Sequence, residues 1–149
     1  MLADIKALTF DTGGTILDWH NGLCQAFAHA GAQHGVSADW PEITNEYRRR
    51  SLKMMLSAVN PSFNIDDAHR RMLDAVIDEF ELTELTAEDR ESIWRKWHAL
   101  QTWPDVPPAL VRLKTKYVVV SFTILNTSLV IDVSRRNGLS WDCIVSCEM

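Results

Sequence analysis

An apolar run ends on an aspartate at Ala7-Leu8-Thr9-Phe10-Asp11, and Thr12-Gly13-Gly14-Thr15 follows at once. A glycine pair is entropically unfavourable unless the backbone must turn sharply or admit something closely. The N–H groups of such a loop can face an anion or hold a carboxylate in one orientation. A carboxylate so held can act as a covalent nucleophile, splitting one hard displacement into two easier steps. An aspartate serving only the turn is the plainer alternative.

The sequence has one basic run, Arg48-Arg49-Arg50. On a helix turning about 100° per residue, Arg49 and Arg50 fall with Glu46 and Lys53 on the polar side. Arg48 falls between Met55 and Val59 and near Leu52, inside the apolar arc. A cation there is functional, or it is paired, or it buries its stem while the head reaches water. Trp19 and His20 follow the Asp11 loop closely enough to line a cleft, with linker packing the alternative for Trp19. His29 and His34 do not share a helix face and make no metal pair. Trp94 and Trp97 read as core.

These groups must be positioned by a scaffold, and the chain supplies two kinds. Residues 4–10, 116–122 and 142–147 read as short strands, the second so rich in β-branched residues that burial on both faces is expected. An aspartate at the carboxyl end of a parallel strand stands where open α/β sheets bind ligands. Between the first two strands, helices are expected from Asn21 to His34, from Pro41 to Ala58, from Ile65 to Phe80, and from Thr86 onward. Gly35 and Asn60-Pro61 act as breakers, and Thr86 with Asp89 as a capping-box pair. Trp103 to Pro108 reads as a stiff linker back to the sheet. A short helix near 108–115, and another over 127–136 closed by Asn137-Gly138, complete a βαβ pattern. Asn126 is placed to cap the latter.

The 149 residues, 46% hydrophobic, allow one domain or a core with one insertion. A net charge of −5 argues against nucleic-acid and anionic-membrane partners. Three cysteines with no secretion signal point to reduced thiols in the cytoplasm, buried in the core. The N-terminal apolar stretch is too short and too charged for a signal peptide or membrane span.

Taken together, FDTGGTILDW resembles the first motif of the haloacid dehalogenase (HAD) superfamily, and VVVS at 118–121 resembles its second-motif strand. The segment from Asn126 to Ile144 is similar to that of the 2-haloacid dehalogenases. Tyr47-Arg48-Arg49-Arg50-Ser51-Leu52 matches their halide-binding W-R-x-x-x-L stretch at Arg48. The resemblance implies an α/β, Rossmann-like parallel core, residues 1–17 and 105–149, with a four-helix cap over 18–104. It implies hydrolytic dehalogenation of a short 2-haloalkanoic acid, with Asp11 as nucleophile and Arg48 receiving the halide. Thr15 and Ser121 would fix nucleophile and substrate by hydrogen bonds. Thr12, Gly13, Trp19 and Asn126 complete the expected substrate surroundings, with no metal and no cofactor.

Three departures matter. Superfamily phosphatases usually carry a second aspartate two residues after the nucleophile, to protonate the leaving alkoxide. Gly13 stands there instead, which a halide leaving group tolerates; many dehalogenases have Tyr at that place. Ser121 is not followed by Asn-Gly but by Phe122-Thr123-Ile124-Leu125, so that Asn126 is the nearest replacement. The sequence also ends at Met149, before the family's motif-three lysine and fourth strand, which implies a core lacking its C-terminal part. The first strand, central in the family, then becomes an open edge, and dimerisation is an expected consequence. The rival functions are a magnesium-dependent phosphatase of the same superfamily and a non-catalytic chain acting by association.

Overall fold

The computed structural model describes residues 4–57 and 64–148. The Asn60-Pro61 break and Met149 lie outside them. The chain forms two compact units, residues 1–19 with 98–149, and residues 20–97.

The first unit is a parallel sheet of order β1-β2-β3, with β1 Ala7–Phe10, β2 Val118–Thr123 and β3 Cys143–Ser146. Helix α5, Val106–Lys114, leads into β2 and has proline in its first turn, where the missing N–H has no intrahelical partner to lose. Helix α6, Thr127–Asn137, crosses from β2 to β3. Asn126 caps it by accepting the Leu129 N–H, and Gly138 ends it in the left-handed conformation at φ 66°. Asp142 ties β3 to β2: its N–H donates to the Val119 carbonyl and its carboxylate accepts the Val119 N–H. The hydrogen bond from Lys114, 2.8 Å away, chiefly holds that carboxyl below the usual carboxylate range.

Two sequence expectations need correction. Strand β2 is covered on one face only: Val119, Ser121 and Thr123 are buried, while Val118 and Phe122 are 48% and 60% exposed. β-branched composition suits any pleated surface and does not by itself count the covered faces. Cys143 and Cys147 are exposed and Cys24 is half-buried, so none of the thiols is a core residue. Strand β1 lies at the sheet edge, with Ala7 and Thr9 exposed.

The segments on either side of the insertion pair with each other inside the first unit. Leu17 and Thr102 form an antiparallel bridge, the Asp18 N–H donates to the Gln101 carbonyl and the Trp103 N–H to the Ile16 carbonyl. Asn137 pins this ribbon to α6, donating to the Leu100 carbonyl at 2.9 Å and accepting the Thr102 N–H at 3.2 Å.

The second unit holds α1 Trp19–Gln33, which begins one residue before it, α2 Trp40–Ser57, α3 Ile65–Glu79 and α4 Ala87–Arg95, followed by a short 3-10 turn over Lys96–Ala99. These match the expected helices to within about two residues, the scatter usual at helix ends. Helix α2 buries Ile43, Thr44, Tyr47, Ser51 and Met55 along one face. Asn64 caps α3, and Thr86 with Asp89 forms the reciprocal capping box of α4. The Asp89 carboxylate also accepts from His34 Nε2 at 2.8 Å, joining the end of α1 to the start of α4.

Two outcomes follow from this packing. A Cβ on Gly31 would lie 2.3 Å from Cζ2 of Trp40 and 3.0 Å from the Val36 carbonyl oxygen. Helix propensity favours Gly31→Ala by about 1 kcal/mol, but overpacking against an indole outweighs it. Urea unfolding is expected to show a net loss of about 1–2 kcal/mol. The second outcome concerns Asp89, whose carboxyl lies below its ordinary value, first because of the Thr86 hydroxyl and further because of His34. A lowered value means stability that is whole above the unfolded-state value and lost as pH falls through the folded one. Between about pH 5 and pH 3 the urea midpoint should fall, and fall less steeply in Asp89→Asn.

Candidate active site

Strand β1 delivers Asp11 at its carboxyl end because Phe10 pairs in register with Ser121 of β2. The next residue turns inward: Thr12 is fully buried, and its hydroxyl lies 2.7 Å from that of Ser121, also fully buried. Hydrogen bonding between the two hydroxyls satisfies both where water cannot reach. The Thr12 carbonyl accepts the N–H groups of Ile16 at 3.2 Å and Leu17 at 3.1 Å, closing the Gly-Gly turn. Inside it, Thr15 Oγ1 donates to Asp11 Oδ2 at 3.0 Å. Asp11 and Thr15 are exposed, and Gly13 is half-buried beside them. The carboxylate is therefore oriented by a hydroxyl while open to an incoming ligand.

Gly14 is the strained residue of the loop, with φ at 112°, a conformation L side chains rarely adopt. Trp19 packs beside it: a Cβ on Gly14 would sit 3.4 Å from Trp19 Nε1. Asn126, buried, uses its side-chain oxygen to cap α6. Asp11, Thr12, Gly13, Thr15, Trp19, Ser121 and Asn126 all belong to the sheet unit.

Arg48 belongs to the helical unit. Its neighbours Arg49 and Arg50 both pair with Glu46, and Arg50 also with Glu79. Hydrogen bonds from Arg49 first, then Arg50, push the Glu46 carboxyl down to about 2. Arg48 is half-buried, its guanidinium carbon 5.3 Å from the centroid of the Trp97 ring. That distance suits a cation–π contact. Trp97 is itself fixed: its Nε1–H donates to Tyr47 Oη at 3.1 Å, and His69 stacks on it with 4.3 Å between centroids. Sequence reasoning assigned Trp97 to the core and did not connect it with Arg48. The periodicity of α2 placed Arg48 on an apolar face without showing which ring it would meet.

The described residues contain no group of three or more His, Cys, Asp or Glu side chains arranged to hold a metal ion. No helix among them is long and apolar enough to cross a membrane.

The three-stranded parallel sheet, with its Gly-rich loop after the first strand and its helical insertion, is an α/β fold that matches dehalogenases of the HAD superfamily. Among solved structures, the chain is similar to L-2-haloacid dehalogenases along nearly all its length. With the defluorinating L-2-haloacid dehalogenase Rha0230 it shares 32% identity over 95% of this chain, at a TM-score of 0.84. With the L-2-haloacid dehalogenase PA0810 it shares 30% identity over 97%, also at 0.84. The fold extends to the L-2-haloacid dehalogenase from Xanthobacter autotrophicus, 20% identical with a TM-score of 0.78. The chain spans 60% and 63% of the lengths of the first two. No family model and no curated protein sequence matches the chain.

The hydroxyl pair makes its own prediction. Ser121→Ala leaves the buried Thr12 hydroxyl without that partner and is expected to destabilise by about 1–3 kcal/mol. Thr12→Val combined with Ser121→Ala removes both polar groups, and much of that loss should return. A double-mutant cycle by urea unfolding checks this, and strict additivity of the two changes would contradict the assigned bond.

Proposed function

We propose that this chain carries out hydrolytic dehalogenation of short 2-haloalkanoic acids through an aspartyl ester. An Asp11 carboxylate oxygen attacks C2 from the side opposite the halogen. The carbon–halogen bond breaks, the halide leaves with the electron pair, and an aspartyl ester forms with inversion. Water then cleaves the ester, restoring Asp11 and releasing a 2-hydroxy acid and a proton. Arg48 receives the departing halide, and N–H groups of the Thr12-Gly13-Gly14-Thr15 loop meet the substrate carboxylate.

The observation that carries this reading is the Thr15 hydroxyl on the Asp11 carboxylate at the end of β1. It leaves one oxygen engaged and the group exposed, as a nucleophile attacking from solvent-accessible space requires. Gly13 favours a halide over an alkoxide leaving group, because it offers no acid to protonate an alkoxide. The likeness to dehalogenases 30% and 32% identical supports the same branch of the superfamily. No metal or cofactor is needed for these steps, and a cytoplasmic setting suits the three free thiols.

A second reading, association through the sheet, is supported by the exposed edge of β1 and by Phe122, 60% exposed on β2. One experiment separates the two. Halide release from chloroacetate or fluoroacetate, followed by ion-selective electrode, should be abolished in Asp11→Asn. Release that persists in the variant refutes the nucleophile. No release from the wild type, together with concentration-dependent dimerisation in sedimentation, selects the second reading.

A further inference from the structure

The Asp11 loop is held from one more direction, by a residue that the reaction proposed above does not use. Trp103 lies on the segment leaving the helical insertion, 89 residues beyond Gly14, and its Nε1–H donates to the Gly14 carbonyl at 2.8 Å. Its backbone N–H donates to the Ile16 carbonyl at 3.1 Å, two residues further along the same loop. Trp103 is 39% exposed, so core burial alone does not account for its placement. An indole with one end wet commonly spends its N–H on a specific acceptor.

The acceptor here is the peptide that sets the loop. Gly14, at φ 112°, is the loop's conformational outlier. Across a trans peptide the carbonyl and the next N–H point in opposite directions. A Gly14 carbonyl aimed at Trp103 therefore turns the Thr15 N–H to the other side. The same peptide plane carries the Cα from which the Thr15 hydroxyl reaches Asp11 at 3.0 Å. Trp19 packs on the glycine at van der Waals distance, and the positive φ itself disfavours any residue with a side chain there. One donor on the exit segment thus fixes the direction of one loop N–H and the base of the hydroxyl that orients the nucleophile.

We infer that Trp103 is a positioning residue of the Asp11 loop, acting through the Gly14 carbonyl; its catalytic consequence rests on the dehalogenation reading. Trp103→Phe keeps an aromatic ring and removes only the donor. In the 15N-labelled full chain, the Trp103 indole N–H should exchange with solvent at least about tenfold more slowly than a free indole. In the variant, the amide signals of Gly14 and Thr15 should move while those of Val130 and Val133 in α6 stay. With chloroacetate, kcat should fall about tenfold or more and KM change less than about twofold, since orientation and not binding is lost. An indole N–H exchanging at the free rate in the wild type overturns the inference, whether or not the variant folds. So do unmoved Gly14 and Thr15 signals, or an unchanged kcat. Absence of turnover in the wild type refutes the dehalogenation reading, and the exchange and chemical-shift results then still decide on Trp103.

Discussion

The buried hydroxyl pair of Thr12 and Ser121 is the constraint on which the sheet unit's chemistry depends. Parallel pairing brings the carboxyl ends of β1 and β2 side by side, but pairing alone leaves the loop after β1 free to choose its path. Burying a threonine there is unfavourable unless its hydroxyl finds a partner, and Ser121, in register with Phe10 two residues earlier, is that partner. Once Thr12 points inward, Asp11 before it turns outward. The exposed carboxylate is thus a by-product of satisfying a buried polar atom next to it.

Local elements were legible because their signals are local. The capping box of Thr86 and Asp89, the Asn126 cap and the Gly138 terminus are each written within a few residues, and each forms as expected. Asp11, Thr15 and Arg48 were legible as candidates through residue type, spacing and family resemblance. What escaped was set by the partner surface. Valines in β2 do not record whether one face or two will be covered, and the cysteines of β3 and its following turn do not record that they will be exposed. The Trp103 contact with Gly14 and the Trp97 contact with Arg48 join residues about 90 and 50 apart, and nothing in either segment names the other.

The helical unit shows how an arginine can occupy an apolar face. Arg49 and Arg50 are absorbed by Glu46, and Arg48 is met by an aromatic ring whose own N–H is committed to Tyr47. A guanidinium over an indole keeps its charge and loses much of its freedom of orientation. The surrounding rings of Tyr47, His69 and Phe27 hold that platform rigid.

The discontinuity of the sheet unit bears on how the chain assembles. Strands β2 and β3 are joined by a single short helix, and the helical unit is one continuous stretch, so both gain contacts between near neighbours in sequence. Strand β1 must instead find β2 across an excursion of more than a hundred residues, as the 109-residue separation of Thr12 from Ser121 measures. Closure of long loops is entropically opposed until other contacts shorten them. The antiparallel ribbon at Leu17 and Thr102 draws the two ends of the excursion together. The Asp11 loop accordingly rests on contacts whose closure entropy the ribbon must first reduce.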